Sequence, residues 1–276
     1  MRFAVAATAV TALVAVSGTA ATAAAEDRNG NPRVGVQSTA AGVLLTGDWN
    51  GDGIDTAGWF NWETGTWYLK NANTTGFPDL AFNFGDSHEI GDPVVGDWDG
   101  NGTDTIGLVR GGTWLLRNSN STGAADLAFG YGDADPGGFP IGYPVTGDWD
   151  GNGTDTPGLR RDNVWLLRNS NSSGGADGTF TYGDQFETGY PVVGDWNGDG
   201  YDTIGLVRAG TWLLRNSNFS GGADVAFSYG APLPEHWPVP GDWDNNNTDT
   251  AGVANATTWY FRNSNTSGVA EIVFDF

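Results

Sequence analysis

The sequence predicts an all-β protein, a β-propeller of four-stranded antiparallel blades with five blades, and three observations carry that prediction. The tripeptide Gly-Asp-Trp recurs with its Asp at 48, 97, 148, 195 and 242, at spacings of 49, 51, 47 and 47 residues. Around each anchor the same four short apolar segments return in the same order, the signature of a repeat architecture. Composition agrees: 44 Gly and 13 Trp among 276 residues, and no sustained 3.6-residue apolar period, favour short strands and tight turns over helices.

The second copy shows the elements in order, with strand-length segments at 93–98, 105–110, 113–117 and 126–131. A Gly/Asn/Asp loop follows the first, Gly111-Gly112 the second, and Asn118-Ser119-Asn120-Ser121-Thr122-Gly123 the third, all turn chemistry. The third segment is apolar on both faces: Trp114-Leu115-Leu116, Trp165-Leu166-Leu167 and Trp212-Leu213-Leu214. A strand of that kind belongs to a sheet buried between neighbours, and such sheets pack as propeller blades, four to eight to a ring. Five full sets fit between Leu44 and the C-terminus; an open array, or a larger ring completed by association, is the alternative architecture. A spare segment, 33–38, is expected either to latch the ring by pairing with the last blade or to stay unpaired.

The N-terminus reads separately. Arg2, an apolar run from Phe3 to Val16 and the small-residue stretch ending Ala23-Ala24-Ala25 form a secretory signal over 1–25, leaving a segment 26–42 and a propeller 43–276. The run is too short to span a membrane. Loss of Arg2 leaves 11 basic against 33 acidic residues and moves the formal charge from -21 to -22. Such a surface repels nucleic acid and anionic membranes and attracts cations. With no cysteine, disulfides and thiol chemistry are excluded. The expectation is a secreted protein held by its core and by metal.

The loops after Gly-Asp-Trp read DWNGDGIDT, DWDGNGTDT, DWDGNGTDT, DWNGDGYDT and DWDNNNTDT. Calcium wants six to eight oxygens, and carboxylates or amides at alternate positions of a short turning loop supply them. Positions 1, 3 and 5 fit: Asp48, Asn50 and Asp52; Asp97, Asp99 and Asn101; Asp148, Asp150 and Asn152; Asp195, Asn197 and Asp199; Asp242, Asp244 and Asn246. Positions 3 and 5 always hold one Asp and one Asn, in either order, so each loop keeps its charge and its oxygens. Crowded carboxylates repel unless a cation sits between them. The same loops also read, without metal, as turns closed by side chain to backbone hydrogen bonds.

On these loops and the flanking Gly-Asp-Trp, Ile-Gly-Leu and Thr-Trp-Leu-Leu-Arg segments, all five copies resemble the FG-GAP or VCBS-type repeats of integrin α-subunit propellers and exported bacterial proteins. The resemblance implies a propeller and calcium, and says little about substrate. That family carries an acid at position 9. Here Thr56, Thr105, Thr156, Thr203 and Thr250 stand there, with Asp55, Asp104, Asp155, Asp202 and Asp249 one place earlier. The last ligand is therefore the shifted Asp, the Thr hydroxyl or water. The fifth loop also has Asn247 where the turn glycine belongs, a residue that tolerates the left-handed conformation.

Trp49, Trp98, Trp149, Trp196 and Trp243, and Trp67, Trp114, Trp165, Trp212 and Trp259, recur in every copy and are expected in the core. Lys70, Arg117, Arg168, Arg215 and Arg262 end the third strand and are expected to pair with carboxylates. Ligand contact is sought where the copies differ, in the loops before each Gly-Asp-Trp strand, with Phe139, Phe186, His236 and Trp237 as candidates. No nucleophile elbow, zinc-protease or phosphate-loop motif is present, and a fivefold set of equal sites suits binding better than chemistry at one point. The sequence thus points to a secreted calcium-binding repeat protein that binds glycan or protein outside the cell. A scaffolding surface protein and a polysaccharide hydrolase, which needs only two carboxyl groups, are the alternatives.

Overall fold

The computed structural model describes residues 38–39, 42–85, 91–184 and 189–276. The first blade holds β1 (Ser38–Thr39), β2 (Gly42–Gly47), β3 (Thr56–Asn61), β4 (Thr66–Leu69) and β5 (Leu80–Asn83). The second holds β6 (Asp92–Gly96), β7 (Thr105–Arg110), β8 (Thr113–Leu116) and β9 (Leu127–Gly130). The third holds β10 (Tyr143–Gly147), β11 (Thr156–Arg161), β12 (Val164–Leu167) and β13 (Gly178–Thr181). The fourth holds β14 (Tyr190–Gly194), β15 (Thr203–Arg208), β16 (Thr211–Leu214) and β17 (Val225–Ser228). The fifth holds β18 (Trp237–Pro238), β19 (Gly252–Ala254), β20 (Thr258–Phe261) and β21 (Ile272–Asp275). Each blade is one antiparallel sheet in sequence order, so the fold is a five-bladed β-propeller, without helices among the described residues.

The innermost strands stand side by side around a channel, β2 beside β6, β6 beside β10 and β10 beside β14. In the fifth blade Pro238 and Pro240 lack the N–H a ladder needs, and the inner strand continues only as a bridge between Gly241 and Thr250. Of the spare N-terminal segment, residues 33–37 lie outside the described residues. Ser38 pairs with Val43 of the first blade rather than with the last.

The core lies between blades. Each of five apolar clusters joins one blade to the next, as where Trp67, Phe60 and Phe84 meet Ile106 and Leu108, or where Trp259, Phe261 and Phe274 meet Leu44 and Ala57. The third-strand tryptophans are at most 1 % exposed. Trp67 donates its indole N–H to Phe84 O at 3.1 Å, and Trp114, Trp165 and Trp212 repeat that bond. Burying a ring of that size while satisfying its one donor is the favourable way to use tryptophan in a core.

The outer edges are tied as well. The loop after each third strand caps the outermost strand of the preceding blade. Ser173, Ser220 and Ser267 accept the backbone N–H of Gly130, Thr181 and Ser228 at 3.0 Å, and Thr122 and Thr75 do the same for Asn83 and Asp275. Because Thr75 of blade one caps Asp275 of blade five, the ring closes with the contacts that join every other pair.

Candidate functional site

The loops after the inner strands gather on one face of the ring, and the loops before those strands lie at the opposite end. In the acidic loops the position-1 carboxylate turns back into its own backbone. Asp48 Oδ1 accepts the N–H of Gly51 at 2.8 Å and of Asp52 at 3.1 Å, and Oδ2 accepts that of Gly53 at 2.7 Å. Asp97, Asp148, Asp195 and Asp242 accept the N–H groups of positions 5 and 6 in their own loops in the same way. Positions 3 and 5 are exposed at the loop mouth. In the first and fourth loops they bond each other, Asn50 to Asp52 at 3.0 Å and Asn197 to Asp199 at 2.9 Å. In the fifth loop Asn245 and Asn247 take the left-handed conformation that glycine supplies elsewhere, at φ 57 and 60.

The position-8 aspartates lead elsewhere. Asp104 Oδ2 accepts the backbone N–H of Asp48 on the preceding blade at 2.8 Å, and the backbone N–H of Asp104 donates to Asp48 O at 2.8 Å. Asp155 clasps Asp97, Asp202 clasps Asp148, Asp249 clasps Asp195, and Asp55 clasps Asp242 in the same two-bond manner. The glycine of Gly-Asp-Trp makes room for this: a Cβ on Gly96 would sit 2.7 Å from Asp155 Cβ, and one on Gly241 2.7 Å from Asp55 Oδ2. The position-9 threonines are buried and donate to their own inner strand, Thr56 to Gly47 O at 3.3 Å. Of the three candidates for a last metal ligand, the Asp and the Thr are thus each engaged by the scaffold, the Asp through one of its two carboxylate oxygens.

The five clasping carboxyls line one end of the channel, a space of about 230 Å³. Burial, the largest cause for all five, pushes Asp104 and Asp202 up to about 7 and Asp55, Asp155 and Asp249 well above the usual carboxylate range. For Asp55, Asp155 and Asp249 the next cause is the charge of another ring member. The groups are half-buried where they face the channel, which tempers the desolvation; the direction stands on their crowding.

For calcium, the donors fit in kind. Each loop offers hard oxygens from positions 1, 3 and 5, and at position 1 it is Oδ2, with a single N–H partner, that keeps a lone pair. The count is short of calcium's preference by what water must supply. No group of three or more His, Cys, Asp or Glu is gathered for a metal among the described residues, because each loop mixes Asn with Asp.

The candidate ligand residues at the opposite end are largely structural. His236 Nδ1 accepts the N–H of Ala231 at 3.0 Å, and its ring lies 5.3 Å from that of Tyr260. Trp237 is half-buried, meets Tyr190 edge-on at 6.2 Å and packs against two of the inter-blade clusters. Phe139 is half-buried in a loop where its N–H donates to Asp135 Oδ1 at 3.0 Å, and Phe186 lies outside the described residues. Of the three described, His236 and Trp237 are neighbours in the chain and Phe139 stands in the loop of another blade. The strand-ending arginines bond mainly to carbonyls of the following loop, as Arg117 does to Ser121 O at 2.7 Å, with their acidic partners between 2.9 Å (Arg215 and Asp224) and 3.9 Å (Arg168 and Asp177). The exposed aromatics Phe77, Tyr201 and Phe219 on the acidic face were not among the sequence candidates; their signal is that they break the repeat, Tyr201 and Phe219 standing where other copies carry Thr, Ile or Ser and Phe77 where they carry Ala, Gly or Val.

The fold and the loops define a five-bladed propeller with five like acidic turns on one face. No family model and no curated protein matches the chain. Among solved structures it is similar to an Agrocybe aegerita lectin that recognises non-reducing terminal N-acetylglucosamine, at 18% identity and a TM-score of 0.47, over 84% of this chain and 66% of that one. It is also similar to BBS1N in complex with ARL6DN, at 12% identity and a TM-score of 0.44, over 87% and 85% of the two chains. The chain thus spans just under two thirds of the length of that lectin chain.

Proposed function

We propose that the protein is a secreted, calcium-stabilised propeller that serves as a binding module for glycan or protein outside the cell. The observation that carries this is the placing of five near-identical acidic loops around one face of a closed ring, an arrangement suited to repeated contacts with an extended partner. The N-terminal signal over 1–25 supports export, and the hard-oxygen loops support calcium as a structural ion. The uniform clasps support a rigid scaffold on which loop substitutions set specificity.

The test is a glycan array together with a pulldown from extracellular material, using the mature chain in millimolar calcium. Saturable binding to a glycan or a protein is expected. No partner in either assay, with the chain folded, sinks the reading.

A further inference from the structure

The five blades are close to copies, so a copy that puts a large exposed aromatic where the others carry Thr, Ser or Ile marks a candidate contact with something outside the chain. The junction of blades three and four has two such departures. At loop position 7, where the other copies have Ile54, Thr103, Thr154 and Thr248, blade four carries Tyr201, 48 % exposed. Its ring packs against the acidic loop of blade three: a Cβ on Gly151 would be 2.9 Å from Tyr201 Cε1 and Cζ.

Phe219 is the second. Its counterparts Ser121, Ser172 and Thr266 each accept a bond from the arginine that ends the third strand, at 2.9, 2.8 and 2.8 Å. Phe219 has no hydroxyl and is 73 % exposed. Arg215 turns instead to Ser217 at 3.0 Å and Asp224 at 2.9 Å, and its Nε is left buried with no partner among the described residues. Arg215 also donates to Phe219 O at 3.1 Å and so keeps as many hydrogen bonds as Arg117; a large aromatic left exposed where the other copies carry a small hydroxyl breaks the local rule, which is the mark of a functional position.

The two belong to one place. Asn218, beside Phe219, donates to the carbonyl of Asp202, beside Tyr201, at 2.8 Å, and Ser220 caps blade three at Thr181. Asp150 and Asn152 flank Gly151 in the chain, next to the Tyr201 ring, and are exposed. Aromatic faces next to carboxylate and amide oxygens match a pyranose, whose C–H face packs on a ring while its hydroxyls donate to the acceptors. A formal charge of -21 works against uronic or sulfated sugars.

We infer that Tyr201 and Phe219 form a binding site for an uncharged oligosaccharide at the junction of blades three and four, a step that rests on the binding-module reading. The test is calorimetric titration of the mature chain, in millimolar calcium, with cellohexaose, chitohexaose and polygalacturonate. One of the two uncharged hexamers is expected to bind and polygalacturonate is not. Y201A and F219A are each expected to weaken binding about threefold to tenfold, the range of one aromatic contact. F77A, at an exposed aromatic of blade one, is expected to leave it unchanged. F219S separates recognition from folding: it restores the hydroxyl of blades two and three, so binding falls while the melting temperature does not. Hexamer binding that survives Y201A and F219A overturns the site and leaves the module reading standing. Binding of neither hexamer, or of polygalacturonate alone, also overturns the site, and a partner found by array or pulldown would still uphold the module.

Discussion

The carboxylate of Asp55 accepts the backbone N–H of Asp242 at 2.8 Å, and the backbone N–H of Asp55 donates to Asp242 O at 2.8 Å. These residues stand at opposite ends of the propeller sequence, yet their contact is the one that joins Asp104 to Asp48 and each later pair. Thr46 adds a bond to Pro240 O at 2.8 Å and Asn245 one to Asp52 O at 3.0 Å. Among the described residues the last blade is built from C-terminal strands, and its closure onto the first blade rests on such side-chain clasps and on apolar packing.

Removing that acceptor tests the closure. Asp55→Ala strands the Asp242 N–H and is expected to cost about 1–3 kcal/mol, the penalty for an unsatisfied buried donor. Asp55→Asn keeps an acceptor and drops one charge from a crowded ring, so its loss is expected to be clearly smaller. Urea unfolding of the two variants at pH 8 decides; equal losses would show that charge, not the hydrogen bond, carries the contact.

The same ring sets a pH dependence. Its carboxyls are held above the ordinary value of 3.8, Asp104 and Asp202 at about 7, so the folded chain binds more protons than the unfolded one across that window. Stability therefore falls as pH rises from about 4 to 7 and beyond. In chelator, the urea midpoint is expected to be higher at pH 5 than at pH 8, and the Asp104→Asn, Asp202→Asn double variant is expected to flatten the difference. A midpoint that climbs with pH would contradict the crowding of the ring.

How far the sequence alone reached can be judged from particular residues. The segments 105–110 and 113–117 become β7 and β8 almost residue for residue, because Gly111-Gly112 and the Asn/Ser loop mark their ends with local turn chemistry. The partner of Asp104 was not legible in that way. It lies 56 residues upstream in a near-identical loop, so spacing alone offers its own loop as readily as its neighbour's. Gly47 carried the missing signal, since a glycine before Asp in an extended strand marks a close approach, here by Asp104. Tyr201 and Phe219 show in the sequence only as breaks in the repeat, where other copies carry Thr, Ile or Ser, whereas the longer loops at the opposite end carry His236 and Trp237, which make internal contacts.

For calcium, the structure chooses a cleaner probe than position 1. Asp148 closes its own loop, so Asp148→Ala damages the turn with or without metal. Asp150 is exposed at the loop mouth, and Asp150→Ala is expected to leave the melting temperature in chelator nearly unchanged while shrinking the rise produced by calcium. At tenfold excess over its dissociation constant each filled site adds roughly 1.4 kcal/mol. No rise with calcium in the parent chain would remove the ion from the proposal.

The junction of blades one and two offers a stabilising substitution. Tyr131 reaches across to Leu166 O at 2.9 Å and Tyr182 to Leu213 O at 2.9 Å, each pinning one blade to the next. The corresponding residue of blade one is Phe84, which leaves Leu115 without that donor beside a cleft of about 490 Å³ walled by Leu108, Leu115 and Ala125. Space and an acceptor are both present, so Phe84→Tyr is expected to add about 0.5–1.5 kcal/mol, the net worth of one hydrogen bond. Tyr131→Phe and Tyr182→Phe are expected to lose as much. At this chain length the gain corresponds to a melting temperature higher by roughly 1–5 °C, within reach of scanning calorimetry. Bond and void can be told apart, because Phe84→Trp fills space without the hydroxyl. If Phe84→Tyr lowers the melting temperature while Phe84→Trp raises it, the junction lacks volume and not a hydrogen bond.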